Sequence, residues 1–237
     1  MSSLAERLAH IEVRMATACH RAGRSPGDVQ LMGVSKMHSA EILAEAARAG
    51  LTLFGENRVQ EFETKRLRLQ ELRVPDAEVH FIGHLQSNKS ARAAELFSAI
   101  DSVDSFRLAE RLNDAAGKLD KRLPILLEIK LSAEPAKSGI EPGSGELRPL
   151  LERLPTLEHL AMRGLMTIAP FDENPDTARA CFHQLRLLRD SLAREYPGID
   201  FHQLSMGMSG DFEIAIEEGS TLVRIGTALF GERSAAQ

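Results

Sequence analysis

Leu31-Met32-Gly33-Val34-Ser35-Lys36 reads as a buried strand that ends on an amine. Four apolar or glycine residues precede Ser35. A helix signature follows from Ser39, with Glu41 in the first turn and Ile42, Leu43, Ala46 and Ala47 at helical spacing. Lys36 is therefore expected in a βα turn at the carboxyl end of a strand, where α/β folds gather their chemistry. A lysine stripped of water there can become the neutral amine that attacks an aldehyde. A lysine beside a strand is also commonly a solvated surface group, so the hexapeptide points to the fold before it points to a function.

The same unit recurs outward from this stretch. Strands are expected at residues 29–34, 51–54, 79–82, 99–103, 124–129, 161–166, 201–205 and 221–225, each followed by a helical pattern. Eight such units in 237 residues, near the ~250 typical of the class, predict an α/β fold, a single (β/α)8 TIM-type barrel domain over residues 1–237. The alternative, a doubly wound open sheet, lacks support: no glycine-rich dinucleotide fingerprint follows a strand and no P-loop occurs. Residues 1–22, with Leu4, Leu8, Ile11 and Met15 on one face, are expected as an extra N-terminal helix, an added lid or cap. The loop at 132–145 holds two prolines, three glycines and Lys137, and is expected to be long and mobile.

Composition narrows the function. The net charge of −5 arises from interspersed acids and bases without a basic stripe, which argues against nucleic acid. No apolar run approaches membrane-spanning length, and the amphipathic start is unlike a secretory signal. Cys19 and Cys181 lack Cys-x-x-Cys spacing and read as reduced, buried thiols of a cytoplasmic protein. His80 and His84 have a helical i, i+4 spacing, but their segment reads as a strand, so no metal site is expected.

On a barrel, Lys36, Asn57, His84, Gln86, Lys130, Ser205, Arg224, Gly226 and Thr227 fall at or just past carboxyl strand ends, on one rim. The loops after strands seven and eight are the recurrent phosphate site of such barrels. Here they read Ser205-Met206-Gly207-Met208-Ser209-Gly210 and Gly226-Thr227, small residues that let amides approach an anion, although glycines also serve simply as turn residues. A lysine across the same rim asks for a ligand with both a phosphate and an aldehyde. Pyridoxal 5′-phosphate is such a ligand. Arg224 is placed either to face its pyridine nitrogen or to make a rim salt bridge; facing the ring, it leaves the nitrogen largely unprotonated and the cofactor a weaker electron sink.

These residues bring out a resemblance to the pyridoxal-phosphate-binding homeostasis proteins, the YggS and PROSC group, which are similar to the N-terminal barrel of alanine racemase. It rests on Gly33-Val34-Ser35-Lys36, on Phe54-Gly55-Glu56-Asn57-Arg58-Val59-Gln60-Glu61, and on His80-Phe81-Ile82-Gly83-His84-Leu85-Gln86-Ser87-Asn88-Lys89. Later blocks agree: Lys137-Ser138-Gly139-Ile140, Gly164-Leu165-Met166, Leu204-Ser205-Met206-Gly207-Met208-Ser209, and Val223-Arg224-Ile225-Gly226-Thr227-Ala228-Leu229-Phe230-Gly231. The resemblance implies that Lys36 carries the cofactor as an aldimine, Asn57 lies beside it, Ser205, Gly226 and Thr227 hold the phosphate, and Arg224 faces the pyridine nitrogen. It implies a cytoplasmic protein of vitamin B6 homeostasis that stores or delivers the cofactor, with no established reaction.

Two departures from the group's pattern stand out: Met37-His38 where Thr, then any residue and Pro, is usual, and Lys130 where Asn is common. An enzyme of the racemase or decarboxylase kind is the alternative reading. Racemases of this fold add a β-domain and use a tyrosine as second base, whereas the one tyrosine here, Tyr196, ends a helix away from the strand ends. No catalytic residue and no metal ligand are therefore assigned. The expected partners are the cofactor and recipient apoenzymes, and the expected state is a monomer. Lys137 and Lys130 are candidates for a second amine that takes the cofactor from Lys36. A scaffold that senses the cofactor is a third reading, which the sequence does not separate from delivery.

Overall fold

Short apolar runs become strands buried on both faces here, because helices cover the outside and side chains from other strands fill the inside. The computed structural model describes residues 2–74, 77–132, 134 and 138–231. Its strands are β1 (Gln30–Val34), β2 (Leu53–Glu56), β3 (Glu78–Phe81), β4 (Ala99–Val103), β5 (Leu123–Glu128), β6 (Leu160–Met166), β7 (Gln203–Ser205) and β8 (Leu222–Ile225). All neighbours pair in parallel and in chain order, and β8 closes on β1 with Arg224 opposite Met32. The helices are α1 (Leu4–Arg21), α2 (Ala40–Arg48), α3 (Val59–Glu71), α4 (Ser90–Leu96), α5 (Phe106–Lys118), α6 (Leu147–Arg153), α7 (Pro175–Glu195), α8 (Phe212–Glu217) and α9 (Thr227–Phe230). The fold is the expected (β/α)8 barrel. Among the described residues no helix is long and apolar enough to cross a membrane.

Inside the barrel, Met32, Leu53, Ile82 and Leu222 form an apolar cluster of their own, separate from the large core between strands and helices. Gly55 makes room for it, since a Cβ there would lie 2.7 Å from Met32 Sδ and 2.8 Å from Ile82 Cδ1.

Three expectations are corrected. The second strand begins at Leu53, not Leu51, because Gly50 and Leu51 finish α2: at φ +104° Gly50 donates to Ala47 O, and Leu51 donates to Ala46 O, the paired bonds of a Schellman turn. The first helix is no lid. Ser3 and Glu6 cap α1 reciprocally, and the helix lies along the barrel's side against α8, α9 and α2. It takes the place in the outer ring that the one-turn α9 is too short to fill. Thirdly, within the loop after β5, Ile140 donates to Glu128 O and Lys130 donates to Ile140 O, so a parallel bridge ties this part of the loop to the strand end.

Candidate functional site

Lys36 is half-buried in the turn that follows β1, in which His38 N donates to Ser35 O at 3.1 Å and Met37 has φ +64°. Asn57 follows β2 on the same rim. Its Oδ1 is buried without a hydrogen-bond partner among the described residues. Gly83, just past β3, lets the next loop close onto it: a Cβ at Gly83 would lie 2.4 Å from Asn57 O.

Arg224 projects from β8, the strand beside Lys36's own, and is 4% exposed. Nη1 donates to Ser205 Oγ at 2.7 Å and Nη2 to Thr167 O at 2.8 Å, so the guanidinium spans the tops of β7 and β6. Thr167 is itself fixed by its hydroxyl bond to Ile129 O at 2.8 Å. Burial pulls the Arg224 pKa down, against the carboxylates of Asp101, Asp211 and Glu128. A guanidinium keeps its proton in such surroundings, so the rim presents a fixed cation with five donors and no acceptor.

The two serines at the end of β7 and in the loop after it have different surroundings. Ser205 is fully buried under Arg224. The hydroxyl that reaches the other loop belongs to Ser209, whose Oγ accepts from Ala228 N at 3.3 Å, next to Gly226 and the exposed Thr227. Gly207, at φ +96°, makes that reach possible; a Cβ there would meet Ala215 Cβ at 2.6 Å. At Gly226 the φ is −106° and a Cβ would find only ordinary contacts, at 3.6 Å from Val34. Ser205 Oγ is thus engaged by Arg224, whereas Ser209 Oγ stands between the two loops. Ser209 stood within the quoted motif, but strand alternation, which turns Ser205 inward, is what separates the two.

Glu128 was missed. It ends β5 inside the rim, 5% exposed, with both carboxylate oxygens 3.0 Å from Ser138 Oγ. Burial pushes its pKa up, aided by Asp104 and opposed by Ser138, Arg224 and His84. Lys130 pairs with Glu141 at 3.2 Å. Lys137 lies outside the described residues. His80 faces Asp101 at 3.1 Å and His84 faces Asp104 at 3.3 Å, separate pairs rather than one ligand set. Tyr196 closes the carboxyl end of α7, at the foot of the barrel, because each helix runs back from the rim.

An aldehyde-bearing anion with an aromatic nitrogen fits these residues. Asn57 Oδ1 is an acceptor with no hydrogen-bond partner among the described residues, of the kind that is costly to leave unmet, and the buried guanidinium supplies a fixed cation.

A family model described as alanine racemase, N-terminal domain, matches residues 7–234. A pyridoxal phosphate homeostasis protein of Aquifex aeolicus is 45% identical over 228 residues, covering 96% of this chain and 97% of that one. Its counterpart in Escherichia coli is 42% identical over 233 residues, covering 98% of both. The structure of PipY from Synechococcus elongatus with PLP bound is similar at a TM-score of 0.85 and 41% identity, over 97% of this chain and 100% of that chain. The chain belongs to the alanine racemase N-terminal domain family and, within it, to the pyridoxal phosphate homeostasis proteins.

Proposed function

We propose that this chain binds pyridoxal 5′-phosphate through a covalent C=N bond to Lys36 Nζ and acts in the cytoplasm as a store and carrier of the cofactor. Forming the bond would join the amine nitrogen to the aldehyde carbon and release water; hydrolysis would reverse it, and exchange with another amine would free Lys36 Nζ as the aldehyde carbon passes to the incoming nitrogen. The observation that carries the reading is the buried Arg224 guanidinium on the strand next to Lys36, held by Ser205 and Thr167. PipY, the relative solved with PLP, supports the choice of ligand.

In this arrangement Asn57 lies beside the ring, Gly226, Thr227 and Ser209 receive the phosphate, and Arg224 faces the pyridine nitrogen. When bound, the cofactor supplies an electron sink that an unprotonated ring weakens. Arg224, already protonated, cannot take a proton from the ring, and Tyr196, the chain's one tyrosine, is at the far end of the barrel, so a tyrosine base opposite Lys36 is not part of this reading. The reading includes a monomer of one domain spanning 1–237, with recipient apoenzymes as partners.

The test is to load the protein, mix it with an excess of an apoenzyme, and follow both cofactor transfer and the fate of added amino acids. Transfer without turnover is expected. Racemisation or decarboxylation at ~1 s⁻¹ or faster, the low end for enzymes, contradicts it.

A further inference from the structure

Three side chains outside the pocket grip the turn that presents Lys36. Lys65, on the inner face of α3, donates from Nζ to Ser35 O at 3.0 Å, to Glu56 Oε1 at 2.6 Å and to Glu61 Oε1 at 3.0 Å. Glu56 Oε1 also accepts from Ser35 Oγ at 2.7 Å, and Glu61 Oε1 accepts from Met37 N at 2.5 Å. Glu56 and Lys65 have side chains only 0% and 6% exposed, while Glu61, at 23%, reaches the surface.

The pattern has a specific geometry. Ser35 C=O belongs to the peptide unit before the Lys36 Cα, and Met37 N–H to the unit after it. Each is taken by a charged side chain, one from each end of the Lys65–Glu61 pair. Fixing both planes fixes the backbone torsions of Lys36, and with them the direction in which its side chain leaves the turn. The turn needs holding: Met37 sits at φ +64°, a region that a non-glycine residue keeps only when its surroundings impose it. Lys65, with three acceptors for its three N–H groups, is a structural cation.

We infer that Glu61 and Lys65, with Glu56 anchoring them, are positioning residues for Lys36: α3 aims the amine at the pocket without touching the cofactor. The inference rests on the reading of Lys36 as the anchor.

Glu61→Ala removes the acceptor of Met37 N–H and leaves the buried Glu56–Lys65 pair in place; Glu61→Gln keeps an amide oxygen there. Two measurements are made on parent and variants. One is hydrogen exchange of the cofactor-free protein over residues 31–42. The other is the rate at which pyridoxal, and separately pyridoxal 5′-phosphate, forms a borohydride-reducible adduct on Lys36. Loss of a hydrogen bond to a charged group predicts about tenfold slower adduct formation in Glu61→Ala with both aldehydes. Faster exchange over the turn should accompany it, with the Gln variant within about threefold of parent. Parent-like adduct rates and exchange in Glu61→Ala overturn the inference, as does an equal loss in the Gln variant, which would make charge rather than grip the cause. If the parent itself fails to label Lys36, the anchor reading is wrong. The exchange comparison then decides by itself whether Glu61 holds the turn, and unchanged exchange overturns the brace.

Discussion

Arg224 Nη1 donates to Ser205 Oγ at 2.7 Å, and this bond, with that from Nη2 to Thr167 O, fixes a buried cation inside the rim, apart from the loops suited to an anion. Asp101, Asp211 and Glu128 surround it electrostatically.

Arg224→Met takes the guanidinium away from Glu128 and Asp211, while Asp101 keeps His80. Its bonds run to Ser205 Oγ and Thr167 O rather than to a carboxylate, so the loss expected at neutral pH is about 1.5–3 kcal/mol, that of a bond to a charged group. Urea unfolding should show it. The deficit should shrink as pH falls through the carboxylate range, because protonation removes the uncompensated charge.

Glu128 has a pKa raised by burial, so the folded protein binds its proton more tightly than the unfolded chain does. Stability from this group therefore falls as pH rises from the ordinary carboxylate value through the raised one. Glu128→Gln, which keeps an acceptor for Ser138, is expected to stabilise the protein above that window and to leave it unchanged below. Thermal melts across pH 4 to 8 would show the crossover, and a gain independent of pH would remove the buried charge as its cause.

The two loop serines should behave differently. Ser209→Ala is expected to weaken pyridoxal 5′-phosphate binding while leaving pyridoxal binding near parent, since its hydroxyl stands with the amides of the phosphate face. Ser205→Ala, which loosens Arg224, should weaken both ligands alike, by about 1.5–3 kcal/mol at most for a bond to a charged group. Fluorescence titration with each aldehyde distinguishes the cases.

Two glycines give a matched pair. Gly83→Ala puts a methyl 2.4 Å from Asn57 O and is expected to displace Asn57 and lower the melting temperature of the cofactor-free protein. Gly226→Ala meets nothing closer than 3.6 Å, so the empty protein should melt as parent does. Any loss of pyridoxal 5′-phosphate affinity there reports the ligand's own approach.

The barrel was legible because strand and helix periods alternate eight times, and the place of Lys36 just past β1 because a buried run ends on it. What escaped depended on contacts between distant segments. Leu51 reads as strand until the Schellman bonds to α2 are seen. Ser205 and Ser209 share one motif, and only the inward turn of Ser205 at the end of β7 separates them. Lys65 lies on the buried face of α3 with Val59 and Phe62, where a lysine breaks the apolar pattern. Its spacing of four from Glu61 was a visible signal, but its bonds to Ser35 and Glu56 come from folding β1, β2 and α3 together. The role of α1 could not be read without knowing that α9 has a single turn.

The most direct test of the anchor is the absorbance spectrum of the protein loaded with pyridoxal 5′-phosphate, before and after borohydride, followed by mass analysis of the labelled peptide. The expected result is a reducible chromophore whose label sits on Lys36 and is absent in Lys36→Ala. A label placed quantitatively on Lys130 or Lys89, or retained by Lys36→Ala, would contradict it.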